Sequence, residues 1–163
     1  GSDTVFRAGG VDVVDLGAGD DRFEEFDFNT RPGSSIVGGD GIDVLATFVG
    51  ENYFFNMLEG YFSTTSTGYD SRMEFSSFEG IDVDGSYAFF DYLGTDGPDR
   101  VTIDLKGPYV SSADVATGGG DDEVTIDVEG RDPSYINLDT AEDRKSTRLN
   151  SSHTDISRMP SSA

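Results

Sequence analysis

The sequence predicts an all-β fold, a right-handed parallel solenoid of the β-roll or β-helix kind. Three observations predict it. A short glycine–aspartate unit recurs along the chain, two like alternating segments stand a fixed distance apart, and the composition is acidic and rich in glycine.

The short unit is Gly-x-Asp-x-apolar. It occurs at Gly1–Val5, Gly10–Val14 and Gly19–Phe23, each copy nine residues after the last, and again at Gly41–Leu45, Gly97–Val101 and Gly120–Val124. A shuffled chain of this composition would hold about one such match, so the recurrence marks a repeat architecture. The longer repeat pairs residues 97–107 with residues 120–130 at an offset of 23. Val101, Ile103 and Leu105 alternate with polar neighbours, as do Val124, Ile126 and Val128, the period of a half-buried strand. One such rung cannot bury its apolar face alone. Stacking like rungs in parallel creates the core.

Composition narrows the partners. The 163 residues include 32 acidic and 11 basic ones, for a formal charge of −21. That surface repels nucleic acid, whose phosphates call for Lys and Arg, and disfavours anionic membranes. An aromatic content of 12% argues against an acidic disordered segment, which leaves acids neutralised by bound cations. The 21 glycines fit repeated tight turns. The absence of cysteine excludes disulfides and thiolate metal sites. No apolar run reaches the roughly 20 residues that span a bilayer, so no membrane insertion by this segment is expected. The chain begins Gly1-Ser2-Asp3 without a signal-peptide pattern, and is expected to be part of a larger protein.

The unit also has a chemical logic. Glycine permits the positive-φ turn that gathers backbone carbonyls on one side. The aspartate two residues on adds a carboxylate, and calcium takes about six to eight such oxygen ligands. The next apolar residue starts the strand that enters the core. At an isolated Gly-x-Asp, the aspartate capping its own turn would be the better account. Tandem copies in so acidic a chain favour a cation.

These residues carry a resemblance. Gly38-Gly39-Asp40-Gly41-Ile42-Asp43-Val44-Leu45 resembles a complete RTX nonapeptide, Gly-Gly-x-Gly-x-Asp-x-apolar. Residues 17–23 and 118–124 match it from the second glycine onward, and residues 94–101 match with Thr95 in a glycine position. The resemblance implies a parallel β-roll or β-helix that folds on calcium outside the bacterial cell, often after type I secretion. It implies calcium ligands at Asp3, Asp12, Asp21, Asp43, Asp99 and Asp122. Their turn glycines are Gly1, Gly10, Gly17, Gly19, Gly39, Gly41, Gly97, Gly118 and Gly120. It further implies that Asp3 and Asp21 flank one ion, with Asp12 on the opposite side. The 22 residues from Asp21 to Asp43 and the 23 from Asp99 to Asp122 depart from an 18-residue coil and suggest a wider β-helix. Gly80-Ile81-Asp82 lacks the following apolar residue and is expected to be a plain turn.

Four segments follow: repeats of RTX type over 1–47, an aromatic-rich irregular β segment over 48–92, β-helical rungs over 93–142, and a tail over 143–163. The aromatic stretch Phe48–Phe62 is expected to be an inserted strand pair or short helix, with a sugar- or protein-binding surface as the alternative. Glu24, Glu25 and Asp27 could pair for glycoside chemistry, but an exposed acidic strand end is the expectation. The tail holds four of the 11 basic residues and the only histidine, His153. It resembles a translated reading frame of a sequencing adapter and is set aside. Without it no histidine remains to activate a nucleophile. The expected function is therefore calcium binding within a larger secreted, extracellular protein, not catalysis. The alternative is part of a β-helical polysaccharide-active enzyme, an epimerase or lyase carrying such repeats.

Overall fold

The computed structural model describes residues 1–6, 10–25, 33–49, 52–64, 71–85, 89–107, 112–129, 134–139, 146–151 and 154–158. Among these residues every regular element is a β-strand, as the sequence predicts. The first sheet runs in the order β1 (Thr4–Phe6), β3 (Arg22–Glu25), β5 (Val44–Val49), β9 (Gly80–Gly85), β11 (Arg100–Lys106), β13 (Glu123–Glu129) and β15 (Ser146–Ser151). The second contains β2 (Val13–Asp15), β4 (Ser35–Val37), β6 (Asn52–Asn56), β7 (Tyr61–Thr64), β8 (Ser71–Ser76), β10 (Phe89–Leu93), β12 (Ser112–Ala116), β14 (Ser134–Asp139) and β16 (Thr154–Arg158). Its spatial order is β2-β4-β8-β7-β6-β10-β12-β14-β16. Every pairing is parallel except β6–β7 and β7–β8. Outside β6–β8 the chain changes sheet at each strand.

The repeated segments pair as their sequences suggest. Val101, Ile103 and Leu105 on β11 stand directly beside Val124, Ile126 and Val128 on β13. All six are buried, while the intervening Thr102, Asp104, Thr125 and Asp127 face outward. A period of two thus gives each sheet one apolar face. Like residues stack in columns: Phe23, Leu45, Ile81, Val101 and Val124 lie in successive register. The second sheet answers with Phe55, Tyr92, Val115 and Leu138. Both columns belong to one buried cluster.

Strands β6, β7 and β8 form an antiparallel meander, and the expected inserted strand pair is β6–β7 within the aromatic stretch, whose first residues Phe48 and Val49 belong to β5. Phe55 faces Phe62 across the β6–β7 ladder with ring centroids 5.4 Å apart, and lies 5.5 Å from the Phe90 ring on β10. The insertion adds two strands to the second sheet while β5 and β9 pair directly in the first. Large side chains fill the space this mismatch opens: Phe62, Met73, Phe75 and Phe78 are all buried. The meander's last strand ends at Ser76, and β9 then rejoins the first sheet between β5 and β11.

In the segment set aside above, residues 146–151 and 154–158 extend each sheet by one parallel strand. A sheet edge offers unpaired N–H and C=O groups that any extended chain can satisfy. Such pairing reads backbone and carries no argument about function. His153 and Asp27 lie outside the described residues.

Candidate metal site

Chain connections into the first sheet are built alike. Residues 16–21, 38–43, 94–99 and 117–122 each place six residues before a strand, and the sixth is an aspartate. Asp21, Asp43, Asp99 and Asp122 therefore stand immediately before β3, β5, β11 and β13, on one edge of the sheet, and all four are buried. Asp3 stands before β1 in the same way. Asp12 precedes β2 in the second sheet, which sets it on the opposite edge. The N–H of Asp12 donates to Ser34 Oγ at 3.2 Å rather than to a carboxylate.

The buried acids form a ladder. The Asp3 N–H donates to Asp21 Oδ1 at 2.6 Å, the Asp21 N–H to Asp43 Oδ1 at 2.8 Å, and the Asp43 N–H to Glu79 Oε2 at 2.9 Å. Farther along, the Asp99 N–H donates to Asp122 Oδ1 at 3.0 Å. Each contact is charge-assisted and holds one rung against the next. It uses only one oxygen. Asp21 Oδ2 and Asp43 Oδ2 are buried without a hydrogen-bond partner.

Glycines let the turns approach. Gly17 and Gly19, Gly39 and Gly41, and Gly118 and Gly120 all have positive φ. A Cβ on Gly41 would overlap the Gly19 carbonyl, one on Gly19 the Gly1 carbonyl, and one on Gly39 the Gly17 carbonyl. The turns 16–21 and 38–43 are also tied backbone to backbone. The Asp40 N–H donates to Gly17 O at 2.9 Å, and the Gly19 N–H to Asp40 O at 2.8 Å. Gly120 sits over Gly97 and Gly118 over Thr95 in the same manner. Gly10, at φ 120°, belongs to the turn on the Asp12 edge.

The turn at 94–99 departs from this plan. Thr95 and Gly97 are not in the left-handed region. The Gly97 N–H donates to Thr95 Oγ1 at 3.0 Å, and the Thr95 N–H donates to Asp99 Oδ2 at 2.9 Å. The Tyr92 hydroxyl donates to Asp99 Oδ1 at 3.0 Å. Both oxygens of Asp99 are thus held by protein donors. Burial, then the adjacent Asp99 charge, pushes the Tyr92 hydroxyl far above its usual range, so it stays a donor. Burial likewise raises Asp99, against the lowering effect of the Thr95 and Tyr92 hydrogen bonds.

Glu79 occupies a ladder position that sequence reading missed. Ser77-Phe78-Glu79-Gly80-Ile81 is the same unit with Ser for Gly and Glu for Asp, and Ser77 has φ 56°. The unit placed at Gly80-Ile81-Asp82 was three residues out of frame. Asp82 instead lies on the outer face of β9, where Arg22 Nη2 donates to it at 2.7 Å. The Glu24 and Glu25 expectation also changes. Alternation turns them to opposite faces of β3, and Glu25 is buried rather than exposed.

Among the described residues no three His, Asp or Glu side chains converge on one point. A cation at these turns would therefore combine paired carboxylates with backbone oxygens. Two observations fit calcium there: buried carboxylate oxygens lacking a donor, and turn glycines whose missing Cβ lets a carbonyl of the neighbouring turn lie against them. Nothing among protein-family models, curated proteins or solved structures matches the chain.

Proposed function

We propose that this chain is a calcium-binding repeat module of RTX type, a right-handed parallel β-roll or β-helix within a larger secreted, extracellular protein. Its own activity is ion binding. The partners are calcium ions, with no role for nucleic acid and no membrane insertion by so acidic a segment. The observation that carries the reading is the pair of donorless oxygens at Asp21 and Asp43, stacked on adjacent turns. Strand alternation between two sheets, with a 23-residue step between β11 and β13, supports the helical coil.

Magnitudes explain why a cation is needed. Adjacent strands lie about 4.8 Å apart. Two carboxylates at that spacing repel by about 3 kcal/mol at an effective dielectric of 20. Each unsatisfied buried oxygen adds roughly 1–3 kcal/mol. A calcium ion at 100 times its dissociation constant contributes about 2.7 kcal/mol per site, the same order as the repulsion between one such pair. Asp21 and Asp43 would supply carboxylates, with Gly17, Gly19, Gly39 and Gly41 shaping the turns. Asp3 and Asp122 hold equivalent ladder positions.

Calorimetric titration of the full chain with calcium, with magnesium as control, tests this. Calcium-selective binding that Asp43→Asn weakens at least tenfold is the expected result. Heats that are absent, or equal for the two metals and unchanged in the variant, would refute it.

A further inference from the structure

Tyr92 ends its side chain on a residue that the repeat pattern assigns to metal, and it is 2% exposed. It lies on the inner face of β10, in the column of Phe55, Val115 and Leu138, where the other members are apolar. A buried hydroxyl in such a column requires a partner. Its partner is Asp99 Oδ1. The remaining Asp99 oxygen is taken by the Thr95 N–H within the turn. Asp21 and Asp43 have no equivalent donor for their second oxygen. The backbone differs in step, since Thr95 and Gly97 lack the positive φ that Gly39 and Gly41 share.

The N–H-to-carboxylate ladder also breaks here. The Glu79 N–H donates to the Asp43 carbonyl, not to Asp99, and the connection from β8 to β9 has only residues 77–79. Beside this short connection opens a cleft of about 230 Å³ lined by Ile42, Glu79, Pro98, Asp99, Arg100 and Asp121 among others. The Asp99 carboxylate turns inward to Tyr92.

We infer that the 94–99 turn is closed by the Tyr92 hydroxyl without a cation, a built-in clasp that holds the middle rungs while the turns at 16–21 and 38–43 wait for calcium. The partition rests on the calcium reading above. The clasp itself does not. Calcium-free chain would then keep β10 and the start of β11 held together through the Tyr92–Asp99 bond, and loading would propagate order toward β1. Tyrosine supplies one neutral donor where calcium would supply two charges, which suits a carboxylate whose other oxygen already has an N–H.

The test is hydrogen exchange of the full chain in chelator, read by mass spectrometry, for wild type and Tyr92→Phe. In wild type, amides of 100–106 should exchange at least tenfold more slowly than those of 22–25. Equal rates in the two stretches would overturn the inference. Tyr92→Phe should erase the protection of 100–106, and unchanged protection would overturn the clasp. Native mass spectrometry then counts ions: Asp99→Asn should leave the number of bound calcium ions unchanged, whereas Asp43→Asn lowers it. A loss of calcium in Asp99→Asn would overturn the partition. If wild type binds no calcium, the calcium reading fails, and the Tyr92→Phe comparison in chelator still decides the clasp.

Discussion

The turns at 38–43 and 94–99 both begin with glycine, end with a buried aspartate and feed a strand of the first sheet, yet they close by different chemistry. In the first, glycines at positive φ let carbonyls of the neighbouring turn lie against them, and one carboxylate oxygen is left without a donor. In the second, Thr95 and Tyr92 supply donors to both oxygens. Two substitutions in the pattern, threonine for a turn glycine and a tyrosine seven residues upstream of the aspartate, turn a candidate ion site into a self-satisfied one. A repeat motif thus fixes where an acid stands, while its neighbours decide what neutralises it.

Glycine replacements should separate the two turns most widely. Gly41→Ala places a Cβ against the Gly19 carbonyl at a φ of 150°, and is expected to lower stability in calcium by about 3 kcal/mol. Gly97→Ala meets only Thr95 Oγ1 at 3.5 Å and lacks the positive φ, so its effect should stay within about 0.5 kcal/mol. Urea denaturation of both variants checks the difference. Equal losses would mean that the turns do not differ in kind.

The next effect depends on calcium. Asp43→Asn keeps an acceptor for the Asp21 N–H but removes a charge from the stack. In calcium it should destabilise by about 2 kcal/mol, through the lost ion. In chelator it should be neutral or stabilising, because carboxylate repulsion is relieved. Paired melts with and without calcium read this change of sign, and the same loss in both conditions would break the comparison.

A smaller effect comes from the outer faces. Asp84 is raised above its usual value of 3.8 by burial first and then by Asp82 and Asp104, and Asp91 by burial and then Asp114. A raised folded value means that the folded chain binds more protons than the unfolded one. Stability from these groups is present below the unfolded value and lost as pH rises through the folded value. Chelated protein should therefore gain stability between neutral pH and mild acid, measured as a higher urea midpoint. Smallest of all is Arg100→Ala, which removes an exposed pair with Glu123 at 3.2 Å and should change stability by less than about 0.5 kcal/mol.

Much of this organisation was legible in the sequence. The period-two runs at 101–105 and 124–128 gave both the strands and their register, because a 23-residue step places identical residue classes side by side. The Gly-x-Asp units located five of the six acids on the ladder edge. Glu79 escaped because Ser77 supplies the left-handed turn that glycine supplies elsewhere. Glu25 escaped because nothing in an acidic strand end announces which residue the pleat turns inward. The Tyr92–Asp99 bond was not legible either. Its two residues lie in different elements, and only the inward face of β10 aims the hydroxyl at the turn. The longer step from Asp21 to Asp43 did not prevent stacking. Its extra residues fall in the sequence between β3 and β4, outside the six-residue turn that precedes β5.

Far-UV circular dichroism of the full chain during a calcium titration, begun in chelator and repeated with magnesium, tests the central claim most directly. The account predicts partial β signal at the start and a further rise that calcium produces and magnesium does not. A spectrum already complete in chelator and unmoved by calcium would contradict it.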